Sequence, residues 1–316
     1  MTHPGIELCG KTVRDAVTSG MVHADAICRL NEQYPSAAPT VIMDLTVEAE
    51  AFGAHIVFPE NEVPSVTDAL VHNLAEIEAL KIPTLETGRI PQYIKANRIV
   101  AEAIGDKPLF AGCIGPFSLA GRLFGMTELM MAIFTEPETV QLLLEKCTRF
   151  ISGYCQVLKQ AGAQGVVIAE PAAGLVSNED CSLYSSSYVR RIVESVQDDS
   201  FLVVLHNCGN TGHCTEAMIE TGAAGYHFGN QAGMVAALEA CPTDTLVMGN
   251  IDPVGLFKQA SADEMYRATQ DLLNATAAYP NFILSSGCDV PPETPFANIE
   301  AFYEALTEYN KTSNRN

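Results

Sequence analysis

The chain lacks what several classes of function need. Its ten cysteines are scattered and include no C-x-x-C pair, which argues against a structural zinc finger, where a second close pair usually completes the site. Basic residues are scarce: 18 Lys and Arg stand against 38 Asp and Glu, a formal charge of -20. With no dense basic cluster to offset that charge, a phosphate backbone would be repelled, so nucleic acid is not an expected partner. No apolar stretch approaches the roughly 20 residues that crossing a bilayer takes. The opening Met1-Thr2-His3-Pro4-Gly5-Ile6-Glu7 has neither the basic region nor the apolar run of a secretory signal. The expectation is a soluble, cytoplasmic protein with reduced thiols and no membrane partner. Internal repeats, low-complexity tracts and interdomain linkers are also missing, and 316 residues with 47% hydrophobic content suffice for one large core.

What is present is an alternation of short β-rich runs with longer helical stretches. Strands are expected at 40–44, 55–58, 109–114, 165–170, 201–206, 223–228, 246–250 and 282–286. Between them, 138–162 carries Val140, Leu143, Leu144, Cys147 and Phe150 at helical spacing, and 262–278 is similar. Glu136-Pro137-Glu138 supplies a helix start and Gly162 a stop. Eight such units predict a single-domain α/β fold, a (β/α)8 TIM barrel over 39–316. Residues 1–38 are expected to form a helical extension outside it, joined through Tyr34-Pro35-Ser36-Ala37-Ala38-Pro39. A long insert at 59–108 is predicted to contain a helix over 66–80.

Polar and glycine-rich motifs follow the strands, at the carboxyl rim where barrels of this kind build active sites. Two of them carry the chemistry: His206-Asn207-Cys208, after Phe201-Leu202-Val203-Val204-Leu205, and Cys288, after Ser285-Ser286-Gly287. Alternate residues of a strand point the same way, so His206 and Cys208 can face one ion. Two thiolates and an imidazole make three ligands with one position free, as in catalytic zinc sites. The alternative is that Cys208 and Cys288 are small buried hydrophobes.

The segments Gly115-Pro116-Phe117-Ser118-Leu119-Ala120-Gly121, Gly249-Asn250-Ile251-Asp252-Pro253-Val254-Gly255 and Ser286-Gly287-Cys288-Asp289-Val290-Pro291-Pro292-Glu293-Thr294-Pro295 resemble those of the uroporphyrinogen decarboxylase superfamily, and within it the corrinoid methyltransferase branch. The resemblance implies a barrel enzyme in which zinc, held by His206, Cys208 and Cys288, activates a thiol such as coenzyme M. The thiol takes a methyl group from methylcobalamin or another methyl-corrinoid on a carrier protein; a folate is the other conceivable acceptor. Glu170 is a fourth candidate ligand, or else a carboxylate holding a loop amide or His206. The decarboxylase branch binds an acidic tetrapyrrole through an amino-terminal segment like Arg-Gln-Ala-Gly-Arg-Tyr. Here the early cations are only Lys11, Arg14 and Arg29, in no such setting. Cofactor-free decarboxylation is therefore the alternative reading, and a non-catalytic zinc or corrinoid-binding protein a third.

Other rim residues have two readings each. His227, Asn250, Asp252 and Met126 are candidate contacts to substrate or corrin, or else loop and core residues. Arg89 and Arg122, scarce cations in an acidic chain, can receive an anionic acceptor or form structural ion pairs.

Overall fold

The computed structural model describes residues 3–34, 36–105 and 107–313. Pro35 of the expected connector and the extreme ends of the two expected segments lie outside the described residues. Among the described residues eight strands are formed: β1 (Ile56–Val57), β2 (Ser65–Val66), β3 (Phe110–Ile114), β4 (Gly165–Ala169), β5 (Leu202–Asn207), β6 (Gly225–Phe228), β7 (Leu246–Ile251) and β8 (Phe282–Ser286). The last six form one parallel sheet in chain order, β3 to β8. Each crosses to the next through helical segments. The architecture is α/β of the (β/α)8 barrel class, with this sheet as its wall.

The first two expected strands differ from expectation. The 40–44 run contributes one parallel bridge, Thr40 to Phe110, supported by Val41 N to Phe110 O at 3.0 Å and Phe110 N to Pro39 O at 3.0 Å. Because this segment sits directly against β3, no place remains between them for 55–58. That run instead forms β1, paired antiparallel with β2 in a separate hairpin. Pro59-Glu60-Asn61-Glu62 supplies the turn-forming break. The expected helix over 66–80 shrinks to Leu74–Ala79, started by the Asn73 side chain accepting from Glu76 N. A helix not foreseen, Ile90–Ile104, fills the rest of the insert, with Pro91 in its first turn.

The helix expected over 138–162 is Pro137–Gln160. Pro137 occupies its first turn, where the missing N–H costs nothing, and Gly162 leaves it with φ 99°. Its inward stripe, including Leu143, Leu144, Cys147, Ile151 and Leu158, is fully buried and joins the main core. Such burial, about 1.5–3 kcal/mol for each large apolar side chain, presses the helix onto the sheet and fixes the strand ends that carry the site. No single described helix is both long and apolar enough to cross a membrane.

The amino-terminal part forms helices His3–Leu8, Val13–Thr18 and Gly20–Gln33. It is fastened to the far end of the chain. His3 Nδ1 lies 3.1 Å from Val290 O and 3.3 Å from the Asp289 carboxylate, and Glu7 accepts from Glu293 N at 2.6 Å. The loop that carries Cys288 is thus built from both ends of the sequence.

Candidate metal centre and adjoining cavity

β5 and β8 deliver the cluster. His206 is the penultimate residue of β5, Cys208 follows that strand, and Cys288 stands two residues past β8. Their ligand atoms all lie within 4.8 Å of one another. Tetrahedral zinc with sulfur at about 2.3 Å would need donors about 3.5–3.8 Å apart, a gap that small side-chain rotations close. The donor set, two sulfurs and a nitrogen, is the borderline-soft kind that suits zinc.

The loop after β5 is organised by its asparagines. Asn207 Oδ1 accepts from Gly209 N at 3.1 Å and Asn210 N at 3.0 Å, while Asn210 Oδ1 accepts from Gly212 N and Cys214 N. A Cβ at Gly229 would come 2.7 Å from Cys208 O, so the β6 loop can back the cysteine this closely only as glycine. The two thiols share a hydrogen bond. It draws Cys208 down to about 7 against the opposing effect of burial, and it pushes Cys288, also disfavoured by burial, up to about 12. Near neutrality the pair holds one proton and one negative charge, ready to accept a cation.

His206 is aimed by His227, its neighbour in the β5–β6 register. The two Nδ1 atoms lie 2.7 Å apart, His206 Nδ1 is 3.2 Å from His227 O, and His227 Nε2 is 3.1 Å from Ser285 Oγ. A carbonyl oxygen can only accept, so the proton belongs on His206 Nδ1. His206 Nε2, 3.7 Å from Cys288 Sγ, is left with its lone pair facing the cluster. Burial first, and the adjacent His206 ring second, hold the His227 pKa well below the ordinary imidazole value, so it stays neutral and can accept.

Glu170, just past β4, is not in the cluster. It is 1% exposed; Oε1 accepts from Phe117 N at 2.8 Å, and Oε2 from Ser118 N at 3.1 Å and Ser118 Oγ at 3.0 Å. Burial raises its pKa to about 7, against those three donors. A Cβ at Gly115 would meet Glu170 Oε1 at 2.1 Å, which explains the glycine at the start of helix Pro116–Phe124. Asn250 also turns inward to backbone, donating to Gly229 O at 3.0 Å and Ala232 O at 2.7 Å. Asp252 accepts from Val254 N and Gly255 N, both at 2.9 Å, at the start of the next helical turn. Met126 lines a cavity of about 480 Å³ at the carboxyl rim, shared with Leu45, Ile114, Ser118, Arg122 and Pro171.

Sequence reasoning missed Ser285, Asn207 and Asn210. Asn207 and Asn210 flank Cys208 in the quoted motif and had a signal in the tendency of asparagine to bond backbone two or three residues on. Ser285 had none. Of the two arginines, Arg89 is 6% exposed and fully engaged: it pairs with Asp44 and Glu50 and donates to Thr46 Oγ1 at 2.8 Å.

A family model described as uroporphyrinogen decarboxylase (URO-D) matches residues 5–309. The methylcobamide:CoM methyltransferase MtbA of Methanosarcina acetivorans is 30% identical over 276 residues, covering 86% of this chain and 80% of the relative. A uroporphyrinogen decarboxylase of Hamiltonella defensa is 25% identical over 291 residues, covering 88% and 80%. Among solved structures, a methyltransferase from Methanosarcina mazei superposes with a TM-score of 0.89 at 25% identity, covering 97% of this chain and 90% of that one.

Proposed function

The chain belongs to the uroporphyrinogen decarboxylase family, and from that premise we propose that it is a zinc-dependent methyltransferase moving a methyl group from a methylated corrinoid to a thiol of the coenzyme M type. One observation carries the reading: an imidazole and two thiols, from strands far apart in sequence, converge on the catalytic rim of a barrel. A tetrapyrrole decarboxylase has no use for such a set. The 30% identity to the methyltransferase MtbA, against 25% to the decarboxylase of Hamiltonella defensa, supports the same choice.

His206, Cys208 and Cys288 would hold the ion, with a side left open for substrate. When bound, zinc holds an acceptor sulfur as its thiolate at neutral pH, the nucleophilic form. The chain's own residues do the rest. His227 keeps the His206 proton on Nδ1 and so keeps Nε2 available. Glu170 holds helix Pro116–Phe124 by its first amides, and that helix forms one wall of the cavity where the acceptor lies. Asn250 and Asp252 shape the seventh loop, and Met126 and Leu45 present apolar surface that excludes water. The methyl donor, a corrinoid on its carrier protein, approaches from the open rim.

The test mixes methylcobalamin, free or on a corrinoid protein, with coenzyme M, other thiols and tetrahydrofolate, and follows loss of the methyl-cobalt absorption. Thiol-dependent demethylation with about one zinc per chain is expected. Cys208→Ala and Cys288→Ala should each lower zinc content sharply in folded protein, and full retention in both would sink the metal assignment. Turnover with tetrahydrofolate alone would discard the thiol, and loss of carboxyl groups from uroporphyrinogen would reverse the reading.

A further inference from the structure

The two strands that deliver the cluster support their ligands unequally. β5 lies between β4 and β6, whereas β8 is the last strand of the sheet. His206 and Cys208 are therefore braced on both sides, Cys208 with the β6 loop at its back. Cys288 stands two residues past an edge strand, and the last tie to the sheet before it is Gly287 N donating to Ile251 O at 2.7 Å. Beyond Cys288 the chain leaves the sheet and meets helix His3–Leu8.

His3 and Glu7 stand four residues apart, about one helical turn, and so share a face of that helix. From this face His3 Nδ1 reaches Val290 O at 3.1 Å and the Asp289 carboxylate at 3.3 Å, and Glu7 Oε1 accepts from Glu293 N at 2.6 Å. A carbonyl and a carboxylate only accept, so His3 carries its proton on Nδ1. The helix is itself firmly seated: a Cβ at Gly5 would come 2.4 Å from Ala26 O of helix Gly20–Gln33, and Ile6 is buried. Glu293 is the one non-glycine among the described residues with a left-handed backbone, φ 61°. That conformation is unfavourable for a residue with a side chain and persists only where its surroundings hold it, as the bond to Glu7 does. Val290 is also buried, in a small core with Phe257 and Ile299. Apolar burial has no direction, so it keeps the loop down without deciding where Cys288 points. Direction needs hydrogen bonds such as those made by His3 and Glu7.

Resting on the metal centre proposed above, we propose that His3 and Glu7 are positioning residues for Cys288, holding its thiol within reach of His206 and Cys208 through the 289–293 backbone. Helix His3–Leu8 then belongs to the support of the metal centre, and undoing it loosens one ligand of the three.

The experiment reads the thiol and the metal separately. Metal-free protein is treated with N-ethylmaleimide, and alkylation of Cys288 and Cys208 is followed by peptide mass spectrometry; zinc affinity is measured by competition with a chromophoric chelator. In the double variant His3→Ala with Glu7→Ala, the Cys288 rate should rise about 10-fold relative to Cys208, and zinc should bind about 10-fold more weakly. Glu7→Ala alone, at a half-buried position, should raise the same ratio about 3-fold and keeps the test readable if the double variant does not fold. His3→Asn with Glu7→Gln keeps a donor and an acceptor at the two places and should restore both the ratio and the affinity. A ratio unchanged in the folded alanine variants would overturn the inference, as would equal acceleration at both thiols, which signals general loosening. So would unchanged zinc affinity in the double variant, or no recovery in the conservative pair. Because alkylation is read without metal, a selective rise at Cys288 in a protein whose wild type binds no zinc would sink the metal reading and leave the positioning role standing.

Discussion

At the base of the cluster, a single proton on His206 Nδ1 decides which nitrogen is free to bind metal. His227 accepts that proton's hydrogen bond and passes its own Nε2 hydrogen to Ser285. Partners of this kind typically set metal affinity within a factor of 10 to 100. His227→Ala is therefore expected to weaken zinc binding by about that factor without abolishing it, as read by competition with a chromophoric chelator; an unchanged affinity would remove His227 from the site. How far such residues were legible depended on where their partners lie. His206, Cys208 and Cys288 announce themselves because thiol and imidazole at strand ends have few structural uses. His227 is visible at a strand end too, but its task comes from facing His206 across a register that no local pattern encodes. Ser285 is invisible for the same reason.

Among the elements, helix Pro116–Phe124 depends on a carboxylate from another strand. Phe117 N, Ser118 N and Ser118 Oγ all point at Glu170. Leaving buried donors unpaired costs about 1–3 kcal/mol each, with partial relief from rearrangement or water. Glu170→Ala should thus lower stability by about 2–4 kcal/mol in denaturant unfolding while the folded protein keeps the proposed zinc binding. Loss of zinc from folded Glu170→Ala would instead make Glu170 a ligand. Elements with strong local signals were readable: β3 to β8 are apolar runs, and Pro137 and Gly162 bracket a helix. Elements decided by competition for a neighbour were not. The run at 55–58 has the composition of a barrel strand, yet the place beside β3 is taken by Thr40. The helix Ile90–Ile104 was hidden in a long insert whose boundaries gave no clue to its length.

For the molecule as a whole, two buried carboxyls tie stability to pH. Burial raises Glu48 to about 8 and Glu170 to about 7 from the usual 4.5. Folded protein therefore holds these protons more tightly than the unfolded chain. The resulting stabilisation is complete below about pH 4.5 and is lost as pH rises through about 7 to 8. Each pKa unit corresponds to about 1.4 kcal/mol, so the combined effect is several kcal/mol. Melting temperature should fall as pH rises from about 5 to about 8.5, most steeply between about 5 and about 7, where the unfolded chain has released both protons and the folded protein still holds them. Glu48→Gln, which cannot titrate, should flatten that slope in calorimetry; a profile identical to wild type would show that Glu48 is already ionised in the folded protein.

The fastening of helix His3–Leu8 to the loop of Cys288 has a practical side for handling the protein. Since His3 is bonded to Val290 and Asp289, anything fused ahead of it is grafted beside the loop that carries Cys288. A polyhistidine purification tag at that end would bring competing imidazoles to the rim and pull on the strap that shapes it. The same tag at the other end would follow Phe296–Ser313, a helix of 18 residues, and would put no load on the His3 contacts.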